Sequence, residues 1–130
     1  MVEDNLFEQP HKEHLLWKQD LLKTDKEVKE LVDSLSSIVD GSSLDKSQAK
    51  SVEHLQNSFI RQKQVINNIL ARVKVLDKNM SRFWKERHEL RAVSLTRHSN
   101  IKDEMVQFDK LYDELRSEFD EFIEKIGFKP

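Results

Sequence analysis

The chain has 130 residues, 37% of them hydrophobic and 35% charged, with a formal net charge of −2, a balance that suits one thin, elongated helical domain. Cysteine is absent, which excludes disulfide frameworks and thiolate zinc or iron–sulfur sites. The chain holds two glycines and two prolines, and neither type occurs in the 85 residues between Gly41 and Gly127, a stretch that few folds other than long helices tolerate.

The opening residues, MVEDNLFEQP, are acidic and lack an apolar core of signal-peptide length, and no later apolar run is long enough to cross a bilayer. A flexible acidic segment is therefore expected over 1–10, in a soluble, intracellular and cytoplasmic protein. His14, Trp17, Leu21, Thr24, Val28, Leu31, Leu35 and Ile38 follow at alternating spacings of three and four, one stripe of a helix. A first helix is predicted over about 11–39, with Pro10 at its start, where a missing amide hydrogen costs nothing, and DGSS at 40–43 as its stop.

Ser43 or Asp45 can cap a second helix, predicted over about 44–96. Its seam reads Val52, Leu55, Phe59, Gln62, Ile66, Ile69, Val73, Leu76, Met80, Phe83, Arg87 and Leu90. Ile60, Val65, Leu70 and Val75 widen the stripe, as in a central helix with more than one neighbour. Between Leu90 and Ile101 the phase slips, and a new stripe runs through Ile101, Met105, Phe108, Tyr112, Leu115, Phe119, Phe122 and Ile126. A slip marks either a turn or a stutter in a continuous helix. Ser99 or Asn100 as a cap, with Asp103 and Glu104 in a first turn, favours a reversal at 96–100 and a third helix over about 100–126. The expected fold is thus all-α, an elongated antiparallel bundle or coiled coil of three helices in one domain over 11–126, with a tail at 127–130. The alternative is a hairpin whose second helix continues unbroken.

Charge supports folding back. Residues 1–40 carry 5 basic and 10 acidic side chains (−5), residues 41–98 carry 12 and 5 (+7), and residues 99–130 carry 5 and 9 (−4). A basic middle between acidic flanks is self-complementary through many weak surface pairs of about 0.2–1 kcal/mol each.

No Gly-rich phosphate loop, nucleophile elbow, HExxH or calcium loop is present, so no enzyme, cofactor or metal is expected. His11 and His14 could share a metal with Glu8, but two imidazoles without a third convincing ligand make a weak site. His54, His88 and His98 read as isolated surface or interhelical polar residues and receive no function. The acidic run DELRSEFDEF at 113–122 reads as an amphipathic helix with a solvated face.

The stretch DKNMSRFWKERHELRAVSL at 77–95 raises the main alternative. Residues 71–98 hold eight basic and three acidic side chains, and Arg72, Lys74, Lys78, Arg82, Lys85, Arg87 and Arg91 could track a phosphate backbone while exposed aromatics stack on bases. Met80, Phe83, Arg87 and Leu90 nevertheless fall on the inherited seam, which favours helix packing over nucleic acid.

Trp17 early in the first helix, a long middle helix, and Arg82-Phe83-Trp84 followed by Leu90 resemble spectrin-repeat three-helix bundles over most of 11–126. The break between second and third helices that such repeats place near Asn79 is missing from the pattern, and the resemblance identifies no family. The expected function is a non-enzymatic protein–protein interaction module, a structural or scaffolding subunit of a larger coiled-coil assembly of cytoskeletal, vesicle-tethering or similar kind. Its partners would be other helical proteins or further copies of the chain, with membrane insertion disfavoured and peripheral contact with anionic lipid left open. Candidate interface residues are Trp17, Phe83, Trp84, Arg87, Arg91, Phe108, Tyr112, Phe119 and Phe122.

Overall fold

The computed structural model describes residues 2–41, 43–85 and 87–127, with side chains from Phe7 onward. It is an all-α, three-helix bundle: α1 (Val2–Gly41), α2 (Lys46–Phe83) and α3 (His88–Ile126). Among the described residues no helix is long and apolar enough to cross a membrane.

The heptad-like stripes form the core. Leu21, Val28, Leu35 and Ile38 of α1, Val52, Leu55, Phe59, Ile66, Ile69, Val73, Leu76 and Met80 of α2, and Ile101, Met105, Phe108, Phe119 and Phe122 of α3 are all buried. Phe59 meets Phe119 edge-on, ring centroids 6.1 Å apart, a favoured aromatic geometry. The buried stripe also carries polar residues, His14, Thr24, Gln62 and His98.

The helix ends follow local chemistry in two places. Asp45 caps α2 through a capping box: the Gln48 amide donates to Asp45 Oδ1 at 2.8 Å and the Asp45 amide donates to Gln48 Oε1 at 3.1 Å. Gly127 ends α3 at φ 66°, a left-handed conformation that glycine adopts without a Cβ clash.

Two expected boundaries are corrected. Helix α1 already includes residues 2–10, and Pro10 lies buried in its interior, so the carbonyl four residues earlier loses its usual helical donor. The reversal expected at 96–100 is absent, as is the unbroken long helix. Residues 96–100 lie inside α3, Ser99 and Asn100 cap nothing, and the chain turns between Phe83 and His88. The α2 seam therefore ends at Met80; Phe83 and Leu90 are half-buried and Arg87 is exposed as the α3 N-cap. The slip in phase records the new direction of a helix that starts about a dozen residues before its stripe becomes regular.

Tertiary contacts replace the missing breaker residues at this turn. Trp84 is buried, its ring 5.7 Å from that of Phe7 on α1 and beneath the Arg91 guanidinium at 5.3 Å. Arg91 Nε also donates to the Trp84 carbonyl. The Arg87 amide donates to the Phe83 carbonyl at 3.0 Å, and the Leu90 amide to the Arg87 carbonyl at 3.1 Å.

Candidate functional site

Three regions of the bundle bear on function. The first is the basic, aromatic turn. Phe83 lies under two guanidinium groups, those of Arg82 and Arg87, at 5.3 and 5.9 Å, within the reach of cation–π attraction. Trp84 and Arg91 are engaged with each other, and Trp84 has no face to offer a base. The aromatic pair Phe83–Trp84 is thus packed by the chain's own arginines and by Phe7.

The second region is a polar cluster at the same end of the bundle, where all three helices meet. His11 and His14, one helical turn apart on α1, both present Nδ1 to Oδ1 of Asp77 on α2, at 2.8 and 2.7 Å. The other nitrogen of His14, Nε2, lies 2.8 Å from Nδ1 of His98 on α3. His98 Nε2 in turn faces Glu13 Oε1 at 3.5 Å, and Lys102 lies 3.6 Å from the second oxygen of Glu13. Trp17 covers the pair, its ring 5.4 Å from His14 and 4.8 Å from His98. His14 is fully buried and His98 nearly so.

Electrostatics in this cluster oppose one another. Burial pushes the Asp77 carboxyl up, but the hydrogen bonds from His14 and His11 and their charges outweigh it and hold it below the ordinary aspartate value. Burial, then the neighbouring His14, holds His98 below the ordinary imidazole value against the pull of Glu13. Further along the α1–α3 seam, the Tyr112 hydroxyl donates to Glu27 Oε1 at 3.1 Å. Its burial and the Glu27 charge push the phenol up to about 12. Asp109, near Asp20 and Asp113, is pushed up to about 6 by burial, by its hydrogen bond with Asp20 and by both like charges.

The third region is an open groove lined by α2 and α3 residues alone. One part of it, about 410 Å³, lies between Ala71, Val75 and Leu76 on α2 and Arg97, Asn100 and Ile101 on α3. The groove continues past Val65 and Leu111. Val75, Leu111 and Val65 are 58%, 47% and 42% exposed.

The sequence-predicted interface residues divide accordingly. Phe108, Tyr112, Phe119 and Phe122 belong to the bundle's own core, Trp17 to the histidine cluster, and Phe83, Trp84, Arg87 and Arg91 to the turn. Among the described residues no group of three His, Cys, Asp or Glu is arranged to hold a metal ion. Sequence reasoning read His98 as a surface or interhelical polar residue without a function and did not name Asp77 or Glu13 as members of a cluster with it. His98 sits three positions before Ile101 on the third stripe, at the spacing of a core residue, and that period is the signal that could have found it. No protein-family model, curated protein or solved structure matches the chain.

Proposed function

We propose that this chain is a non-enzymatic interaction module, a scaffolding subunit that takes an amphipathic helix of a partner protein into the open α2–α3 groove. The observation that carries this reading is the row of exposed apolar side chains, Val65, Val75 and Leu111, set between two packed helices. A fourth helix laid there would bury that apolar surface at about 25 cal/mol per Å² before entropy costs.

Charge would set register. Arg61 stands on the α2 edge and Glu114 on the α3 edge, so a partner helix with an acidic side chain toward Arg61 and a basic one toward Glu114 fits best. The nucleic-acid alternative is less well supported, because Trp84 is buried and Phe83 lies under Arg82 and Arg87.

The test is native affinity purification of the full chain beside a Val75→Asp/Leu111→Asp variant, whose substitutions fall on exposed positions. A stoichiometric helical partner that crosslinks to the α2–α3 groove and is lost from the variant, with circular dichroism unchanged, supports the reading. Retention of every stoichiometric partner by the folded variant overturns it. Tight RNA or DNA binding that weakens steeply with added salt would move the reading to the alternative.

A further inference from the structure

We propose that His14 and His98 hold one shared proton between them, so that the chain Asp77–His14–His98–Glu13 closes this end of the bundle over a limited pH window and loosens it on either side. The inference is independent of the groove and its partner.

It rests on a count of hydrogens. A carboxylate accepts and cannot donate, so the Asp77–His14 contact at 2.7 Å requires a proton on His14 Nδ1. The His14–His98 contact at 2.8 Å requires one proton between two nitrogens. The approach of His98 Nε2 to the Glu13 carboxylate at 3.5 Å is attractive only if that nitrogen also carries hydrogen. Three links between terminal carboxylates thus need three protons on four ring nitrogens, and two neutral imidazoles bring two.

With no added proton, His98 Nε2 turns a lone pair toward Glu13. With two added protons, His14 Nε2–H and His98 Nδ1–H point at each other across a contact that had been a hydrogen bond. One added proton satisfies every link.

The surroundings fit a single positive charge. Helix α1 contributes Glu13 and His11, α2 contributes the Asp77 carboxylate, and α3 contributes Lys102 as the opposing cation. The Trp17 ring lies against both imidazoles, where its π-face favours a cation. Burial opposes any charge on His98 and the neighbouring His14 opposes a second one, so the shared proton relies on the hydrogen bonds to the Glu13 and Asp77 carboxylates to outweigh burial.

Linkage gives the sign. Below the unfolded histidine value of about 6.5, the unfolded chain carries two protons on these residues and the folded chain one, so the unfolding constant rises about tenfold per pH unit of acidification. Above that value the unfolded rings are neutral while the folded pair keeps its proton, and the constant rises again as pH increases. Asp109, raised to about 6, acts with the opposite sign on the acid side, so an Asp109→Asn background removes that contribution, and the change lost in a further His98→Gln variant is the part the pair supplies.

The experiment uses the full-length Asp109→Asn protein with ¹⁵N-labelled histidine, following the ring-nitrogen shifts of His14 and His98 between pH 5 and 8. Three protonated nitrogens among the four near pH 6.5, with scalar coupling across the Nε2–Nδ1 contact, is the expected result. Two or four protonated nitrogens there, or two rings that titrate independently, would overturn the shared proton. Urea unfolding over the same range is expected to show a minimum in the unfolding constant near pH 6.5. A constant that is flat from pH 5 to 8 would overturn the pH window even if the proton is shared.

Discussion

Arg72 on α2 grips Glu104 on α3 with two nitrogens, at 2.7 and 2.6 Å, one on each carboxylate oxygen. The carboxyl is held below its usual value, chiefly by that hydrogen bond. With His54 and Glu118 3.2 Å apart further along, the pair links α2 to α3 at the bundle surface. Both side chains are about two-fifths exposed, so the contribution to stability is at most about 1 kcal/mol. Arg72→Glu alone is expected to lower the urea midpoint slightly, and the double variant Arg72→Glu/Glu104→Arg to restore most of it. Equal losses in single and double variants would mean that the pair does not couple the helices.

The central seam carries far more. Leu55, Ile69 and Leu76 are each no more than 4% exposed, and an unpaired carboxylate at any of them costs several kcal/mol. Leu55→Asp, Ile69→Asp and Leu76→Asp are each expected to abolish cooperative thermal unfolding, read by far-ultraviolet circular dichroism. Wild-type helicity and melting temperature in all three would refute the seam.

The core was legible because period alone decides which face of a helix is apolar. Val52 through Met80 and Ile101 through Phe122 repeat at three and four, and those residues are buried. The turn was not legible, because Trp84 to Arg87 contains no glycine or proline and the Arg87 N-cap makes no side-chain hydrogen bond. What holds it is Phe7, about eighty residues away, and Arg91. The His14–His98 contact spans 84 residues, and its formation depends on the register of α1 against α3, which no local pattern encodes. The exposed groove residues Val65 and Val75 were visible only as a broadening of the α2 stripe. Their exposure follows from where α1 and α3 sit.

The position of the turn gives an opposed pair of expectations. Asn100 is inside α3, so Asn100→Pro is expected to lose about 3 kcal/mol through the missing hydrogen bond and the ring clash. Were residues 96–100 a connection, the same change would be nearly silent. Arg87 has extended N-cap dihedrals and no capping oxygen, so the serine oxygen of Arg87→Ser is expected to contribute about 0.5–1 kcal/mol, which offsets the lost guanidinium contact with Phe83 and leaves the variant about as stable as the wild type. Urea unfolding of the two variants decides between the two turn positions.

Asp109 makes the stability of the bundle depend on pH. Its carboxyl is raised from 3.8 to about 6, by burial first and then by Asp20 and Asp113. A folded-state value above the unfolded one means that the native chain binds the extra proton. The favourable contribution is therefore complete below about pH 3.8 and is lost as pH rises through about 6. At pH 7 the ionised side chain opposes the α1–α3 seam, and removing its charge should help. Asp109→Asn is expected to stabilise the fold at pH 7 by less than about 1 kcal/mol, since the side chain is exposed at the surface even though its carboxyl is partly desolvated, and solvent screens it. The gain should shrink as pH falls to 5, where the wild-type carboxyl has taken up its proton. Chemical unfolding of both proteins at pH 5, 6 and 7 measures this, and a gain that is constant with pH, or a loss at pH 7, would show that Asp109 does not meet the Asp20 charge in the folded chain.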